Sequence, residues 1–414
     1  MSGPIKPRAN ISLPQDFLFG EVPSKPIAPI EPGVAEVAPP PVPIVPPNLG
    51  PLAAFVGTWK GTGFNTIFRP NNSKTPTPLP TPVSGSDNIL ELNVTSETLS
   101  FSPSLGSVPN RGSDPQGDIF LNGIPYLQVI NDVTNPGRTV GIHVEPGLWM
   151  NVPPTDSPSE GATLVRMGSI PHGTTIEAQG FSAVIDGPPI INPVDITPFT
   201  TKAPGNTTTP IKFKSQTAAT EGTPRIPQDL TPFIAAGTIT QAMLDDPNSI
   251  LRNIIASQKI VSTSTLFIST NPASLKAPNP TQTLFGGGTD NIAFLLGKDN
   301  DEPLPSLPNA QALQMTAVFW IETVEQTITV PVFNPGDGTI LINGASPVPG
   351  QPFPVFSVSP PAAIPAPRQI KVTSTQIQYS QIVILNFAGL SWPHASVATL
   401  VPADPVVVPD SAFN

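Results

Sequence analysis

Apolar and polar residues alternate along much of this chain with a period of two, and the alternation recurs in segment after segment from Leu52 onward. Asn88 to Phe101 shows it most plainly: Leu90, Leu92 and Val94 fall on one face, Glu91, Asn93 and Thr95 on the other. Successive side chains of a strand point to opposite sides, so such a segment reads as a strand with two unlike faces. Ala54 to Arg69, Gly117 to Ile130, Arg138 to Met150, Ala162 to Ile170 and Thr174 to Phe181 continue the series. It resumes at Lys259 to Ser269, Asn291 to Leu296, Gln314 to Val324, Thr339 to Ile342, Arg368 to Phe387 and Ser396 to Val401. Pro, Gly, Asn and Asp turn signals separate the segments, Pro136-Gly137 among them. Helical spacing stands out at Ile250, Leu251, Ile254 and Ile255, behind Pro247 at the first turn, where its missing N–H costs least. Many short strands with one or two short helices predict an all-β, mostly antiparallel barrel or sandwich.

The pattern also sets the organisation. Residues 1–50 form a proline-rich arm whose Ala38 to Pro47 run is extended and polyproline-II-like. Its Ile, Val and Leu favour wrapping over the folded body, against the alternative of a free linker or a ligand for a proline-binding module. Residues 51–402 read as one β-domain, interrupted at about 182–257 and 271–312, and residues 403–414 as a tail.

Composition narrows the chemistry. The 414 residues include no Cys, 3 His, 2 Tyr and 59 Pro, with a formal net charge of -10. Acidity argues against nucleic acid or an anionic membrane as partner. Without Cys there is no thiolate nucleophile, disulfide or Cys-held zinc or iron–sulfur cluster, which fits a reducing compartment. Met1 to Asn10 has no apolar core of a secretory signal, so the expectation is a cytoplasmic protein. No apolar run is long enough to span a bilayer as a helix. G-x-S-x-G, H-E-x-x-H and the phosphate-loop motif are missing. Gly286-Gly287-Gly288 reads as a flexible turn, and Glu322 and Glu325 near Trp320 as solvated strand-end charges.

The histidines carry what remains. In Trp392-Pro393-His394-Ala395-Ser396-Val397-Ala398-Thr399-Leu400, strand parity puts His394, Ser396, Ala398 and Leu400 on one face, an imidazole with little bulk beside it. His143 and Glu145 are two apart and share a face, as a structural pair or as catalytic candidates in a pocket. His172, between Pro171 and Gly173, reads as part of a turn. Gly57-Thr58-Trp59-Lys60-Gly61-Thr62-Gly63 opens the first strand; its glycines permit bending and Trp59 can plug one end of a barrel.

Several pieces in chain order resemble the nitrobindin family of heme-binding β-barrels. They are the G-x-W-x-G-x-G opening, His143 to Met150 as an H-x-E-x-G-[FL]-W-like strand, and Ile170 to Glu177 as a turn of the H-P-T-G-x-x-E kind. Ile377 to Ser380 and the late Pro393-His394 segment follow. The resemblance covers Leu52 to Arg69, Asn88 to Gly180 and Gln376 to Val401, with a looser fit at Lys259 to Ser269 and Gln314 to Val324. It implies a lipocalin-like barrel of about ten strands, heme b in its mouth, His394 as the axial iron ligand and a heme contact from Thr66. It also implies binding of nitric oxide and conversion of peroxynitrite, and leaves a peroxidase-like activity and a homodimer open. The chain departs from the family in its insertions, in Phe64-Asn65 where the family has a Tyr-Pro-like pair, and in Ala395 where Leu is usual. Two other readings stand beside it. One is a lipocalin-like carrier of an apolar small molecule without iron; the other is a heme enzyme acting on an organic substrate.

Overall fold

Ten strands, each hydrogen-bonded to its neighbours in sequence, close on themselves as an antiparallel meander. They are β1 (Gly57–Pro70), β2 (Asn88–Phe101), β3 (Ile119–Asp132), β4 (Val140–Val152) and β5 (Thr163–Ser169). The second half is β6 (Thr175–Asp186), β7 (Lys259–Ser269), β8 (Gln311–Val330), β9 (Arg368–Phe387) and β10 (Leu390–Pro402). β10 pairs with β1, with Asn65 opposite Ser396, and this seam closes the barrel. The computed structural model describes residues 48–104, 106–157, 159–200, 208–270 and 310–413, and Pro47–Asn414 is one compact unit. Residues 1–47 of the proline-rich arm, the Asn291 to Leu296 strand, the triple glycine and most of the 271–312 insertion lie outside the described residues. Among the described residues no helix is long and apolar enough to cross a membrane.

The closed end is an aromatic plug. A 3-10 turn, Gly50–Phe55, takes the place of the first residues of the expected Ala54 to Arg69 strand. It carries Leu52 and Phe55 into the barrel. Phe55 stacks on Phe101 at 4.7 Å and meets Trp149 at 5.6 Å, and Trp59 Nε1 donates to the Phe55 carbonyl at 2.7 Å. Trp59 is thus a core plug, as its motif suggests. Gly61 and Gly63 lie where a Cβ would meet the carbonyl oxygens of Thr399 and Val397 at 2.0 and 2.2 Å, so β1 and β10 can approach only because these residues lack side chains.

The outer wall is apolar where the first insertion covers it. Leu90, Leu92, Phe64, Phe68, Trp320 and Trp392 pack against insertion residues such as Leu230, Ile239 and Leu251. The two faces of β2 therefore sit opposite to a simple amphipathic barrel: leucines outward under the cover, Glu91, Asn93 and Thr95 toward the lumen. The cover starts later than expected, because β6 continues to Asp186, and it holds three short helices: α1 (Thr231–Ala236), α2 (Gln241–Asp245) and α3 (Ser249–Ile255). Arg225 pins it. This guanidinium is 0% exposed and donates to the backbone carbonyls of Ser215, Thr217, Ala218, Thr220, Pro227 and Gln228, at 2.9 to 3.3 Å.

One expectation is corrected here. Glu322 is not solvated: it is 0% exposed on the outward side of β8, takes a bond from Gln376 Nε2 at 2.6 Å, and burial pushes its carboxyl up to about 8. The alternation in Gln314 to Val324 hid this, because the cover buries the face that looked external. Glu325, by contrast, is a surface charge paired with Lys259 at 2.8 Å. The C-terminal tail is also folded. β8 and β9 run on past the barrel, and Ile340–Asn343, Val355–Val358 and Val406–Val407 form a small sheet over a satellite core that includes Phe356, Val408 and Phe413.

Two stability predictions follow from these buried groups. Arg225→Met leaves a set of carbonyls unpaired and costs roughly 3 kcal/mol or more in chemical denaturation. Glu322 binds its proton more tightly folded than unfolded, so its contribution is full below the ordinary 4.5 and is lost as pH rises through about 8. The melting temperature of Glu322→Gln relative to the natural chain therefore climbs across that window and levels off above it.

Candidate functional site

The open end of the barrel encloses a cavity of about 670 Å³. Ile130, Ile142, Ile170, Ala312, Val383 and Leu385 give it an apolar wall; Asn65, Asn93, Gln128, Tyr379, Gln381 and Ser396 give it a polar one. All 3 histidines of the chain reach it. His394 comes from β10, His143 from β4, and His172 from the turn between β5 and β6, where Gly173 N–H donates to the Ile170 carbonyl. Parity explains the convergence: His394, Ser396, Ala398 and Leu400 occupy the inner face of β10, and His143, Glu145 and Trp149 that of β4.

His394 is held by its neighbours. Its Nε2 lies 2.7 Å from Asn65 Oδ1, which also accepts from Ser396 Oγ at 2.8 Å. Asn65 Nδ2 in turn donates to Asn93 Oδ1 at 3.0 Å. An amide oxygen can only accept, so His394 Nε2 carries the hydrogen and Nδ1 the lone pair. Burial within the barrel wall lowers the ring's pKa to about 4, with the positive forms of His143 and His172 adding to the effect. The imidazole is therefore neutral over the ordinary pH range, the form that binds metals.

Thr66 is corrected. It lies one residue from Asn65, between Phe64 and Phe68 on the covered face of β1, and its buried Oγ1 has no partner among the described residues. A one-residue step along a strand moves a side chain to the other side. Phe64, Asn65 and Ile67 of this segment line the cavity, and Thr66 does not.

Beneath the cavity a belt of polar side chains crosses the lumen. Glu145, 0% exposed, accepts from Arg166 Nη2 at 2.7 Å and from the Tyr126 hydroxyl, and faces His143 Nε2 at 3.2 Å. Arg166 also donates to Tyr126 at 3.0 Å and reaches across to Gln381 Oε1 at 2.8 Å, while its guanidinium lies over the rings of Tyr126, Trp149 and Phe319. Burial alone would raise the Glu145 carboxyl, but Arg166, His143 and Tyr126 outweigh it and hold it at about 2. The expected His143–Glu145 pair is thus formed. His143 lines the cavity and Glu145 acts through it, holding the ring from behind. His172 stands edge-on to His143 at 5.2 Å, so it belongs to the cavity rim as well as to its turn.

The pattern-based reading missed Asn65, Glu97, Gln128, Tyr126, Arg166 and Tyr379. One signal was available: both tyrosines of the chain, Tyr126 and Tyr379, lie on the lumen side. Strand parity with Asn93 and Thr95 also puts Glu97 inside. Among the described residues no cluster of three or more His, Cys, Asp or Glu side chains is arranged to hold a metal ion. Compared with known proteins, the chain matches no family model, no curated protein and no solved structure.

Arg166→Leu strands the Glu145 charge in the lumen and costs roughly 3–5 kcal/mol in urea denaturation. The double variant Glu145→Gln/Arg166→Leu recovers part of that loss, because no unpaired charge remains.

Proposed function

We propose that the barrel binds heme b in its open end, with His394 as the iron ligand, and through it binds or converts small reactive nitrogen or oxygen species. One observation carries the reading: a neutral imidazole of fixed tautomer stands on the wall of a cavity of about 670 Å³. The volume falls in the range of cofactor and ligand sites, roughly 300–1,000 Å³. The residues fit such a group in kind. Metal-binding imidazoles commonly donate their second ring N–H to an oxygen that fixes tautomer and orientation, and Asn65 Oδ1 is placed to accept here. Ile130, Ile142, Val383 and Leu385 supply the apolar surface that a porphyrin face requires. Bound heme would supply an iron centre able to take a diatomic gas or a peroxide.

The rest is work for the chain's own residues. Asn65 and Ser396 orient His394, and the aromatic plug shuts the far end against water. His143, set by Glu145, presents its ring to whatever occupies the cavity. Acid–base steps need such a positioned group, so a peroxidase-like activity falls within this arrangement.

A second reading keeps the cavity and drops the iron. His394, Asn65 and Ser396 satisfy one another without a metal, which supports a lipocalin-like carrier of an apolar small molecule.

Absorption spectroscopy separates the two. The heme reading predicts an intense Soret band on purification or after addition of hemin, weakened at least tenfold in apparent affinity by His394→Ala, roughly the worth of one ligand bond. A colourless chain that leaves added hemin unbound overturns the heme reading and favours the carrier.

A further inference from the structure

The floor of the cavity holds a carboxyl that neither reading uses. Glu97, on the inner face of β2, is buried. Its oxygens meet two donors: the Tyr379 hydroxyl reaches Oε2 at 2.7 Å, and Gln128 Nε2 reaches Oε1 at 2.6 Å. Tyr379 and Gln128 line the cavity, and Gln128 Nε2 also points at the Tyr379 oxygen at 3.3 Å. The Tyr379 ring is fixed by stacking on Phe319 at 5.2 Å.

One proton gives this trio two states. With Glu97 ionised, Tyr379 spends its hydrogen on the carboxylate and can offer the cavity only lone pairs. With Glu97 protonated, the new hydrogen needs an acceptor. In the orientation seen, Gln128 presents to Glu97 its amide nitrogen, which has no lone pair to give, so the acceptor among these partners is the Tyr379 oxygen. The phenol hydrogen then loses its place on Glu97 and turns toward the cavity. No covalent bond other than the carboxyl O–H changes, and the proton comes from solvent.

We propose that Tyr379 and Gln128 form a subsite for an uncharged oxygen acceptor, such as the carbonyl of a small ketone or ester, and that protonation of Glu97 switches Tyr379 from accepting to donating. The apolar wall of Ile130 and Val383 would take the hydrocarbon body of such a ligand. The proposal rests on the cavity and three side chains and does not require a porphyrin.

The switch lies near neutrality. Burial pushes Glu97 up to about 7 against the opposing pull of Tyr379, Gln128, His143 and Arg166. His143 from β4 and Arg166 from β5, with its partner Glu145, are the charged groups that bear on the trio. On β1 the residue opposite Glu97 is Gly61, which brings no charge. Tyr379 itself stays protonated throughout: burial and the neighbouring Glu97 hold its pKa well above the ordinary value.

The test binds acetophenone to the full-length chain at about pH 5 and about pH 9, on either side of the Glu97 transition, and reads the ketone C=O stretch by infrared spectroscopy. In the natural chain the bound carbonyl band lies lower at the acid pH, and binding there is roughly three- to tenfold tighter, the worth of one hydrogen bond. Tyr379→Phe shows the higher-lying band at both pH values. Glu97→Gln, an uncharged side chain that can donate to Tyr379, shows the low band at both, which ties the pH dependence to Glu97. A carbonyl band that does not move with pH in the natural chain overturns the proposal. So does a shift that survives Tyr379→Phe, or a ketone that binds at neither pH. A Soret band in the same samples reports separately on heme.

Discussion

Arg166 is a full positive charge inside a closed barrel, and much of the lumen is arranged around what that charge requires. Glu145 supplies the opposite charge at 2.7 Å, Tyr126 and Gln381 take the remaining donors, and three aromatic rings pack against the guanidinium. A buried pair of this kind is expensive to desolvate and stable only when its hydrogen bonds are complete. Completing them draws side chains from β3, β4, β5 and β9 into one belt. The belt divides the barrel into an aromatic plug on one side and a partly polar cavity on the other.

That division decides what the open end can do. His143 is set from behind by a carboxylate that stays ionised because Arg166 lies next to it. Glu97, a few residues away in space but without a cation in direct contact, moves the other way, up to about 7. Two carboxyls of the same lumen are thus pushed apart by their surroundings, one permanently charged and one near its transition. Divergent carboxyls are a recurring arrangement where proton transfer matters. The outer cover is the second support. It buries the leucine face of β2 and lets polar residues line the mouth without leaving the wall unpacked.

Much of this was legible in the sequence. Period-two alternation located most of the strands within a few residues, Asn88–Phe101, Lys259–Ser269 and Arg368–Phe387 at both ends, and it put His143 with Glu145 and His394 with Ser396 on shared faces. It could not say which face of a strand is inside once an insertion covers the outside, and Glu322 shows the cost. The same ambiguity bears on Thr66, which lies on the covered face one residue from Asn65. Arg166 and Gln128 escaped notice, and Tyr379 was noted only as part of the Ile377 to Ser380 segment, because their meaning comes from cross-lumen partners dozens to hundreds of residues away, as in Gln128 with Tyr379. Periodicity carries no information about such pairs.

His394 is neutral, its Nε2 hydrogen is held by Asn65, and Nδ1 carries the lone pair. Nitrogen-15 NMR of the ring nitrogens across a pH titration tests this most directly, with His394→Gln to assign the signals. The structure predicts one ring of the three that keeps the Nε2–H tautomer down to about pH 4. A His394 ring that gains its second proton near the ordinary 6.5, or that carries its hydrogen on Nδ1, would contradict it.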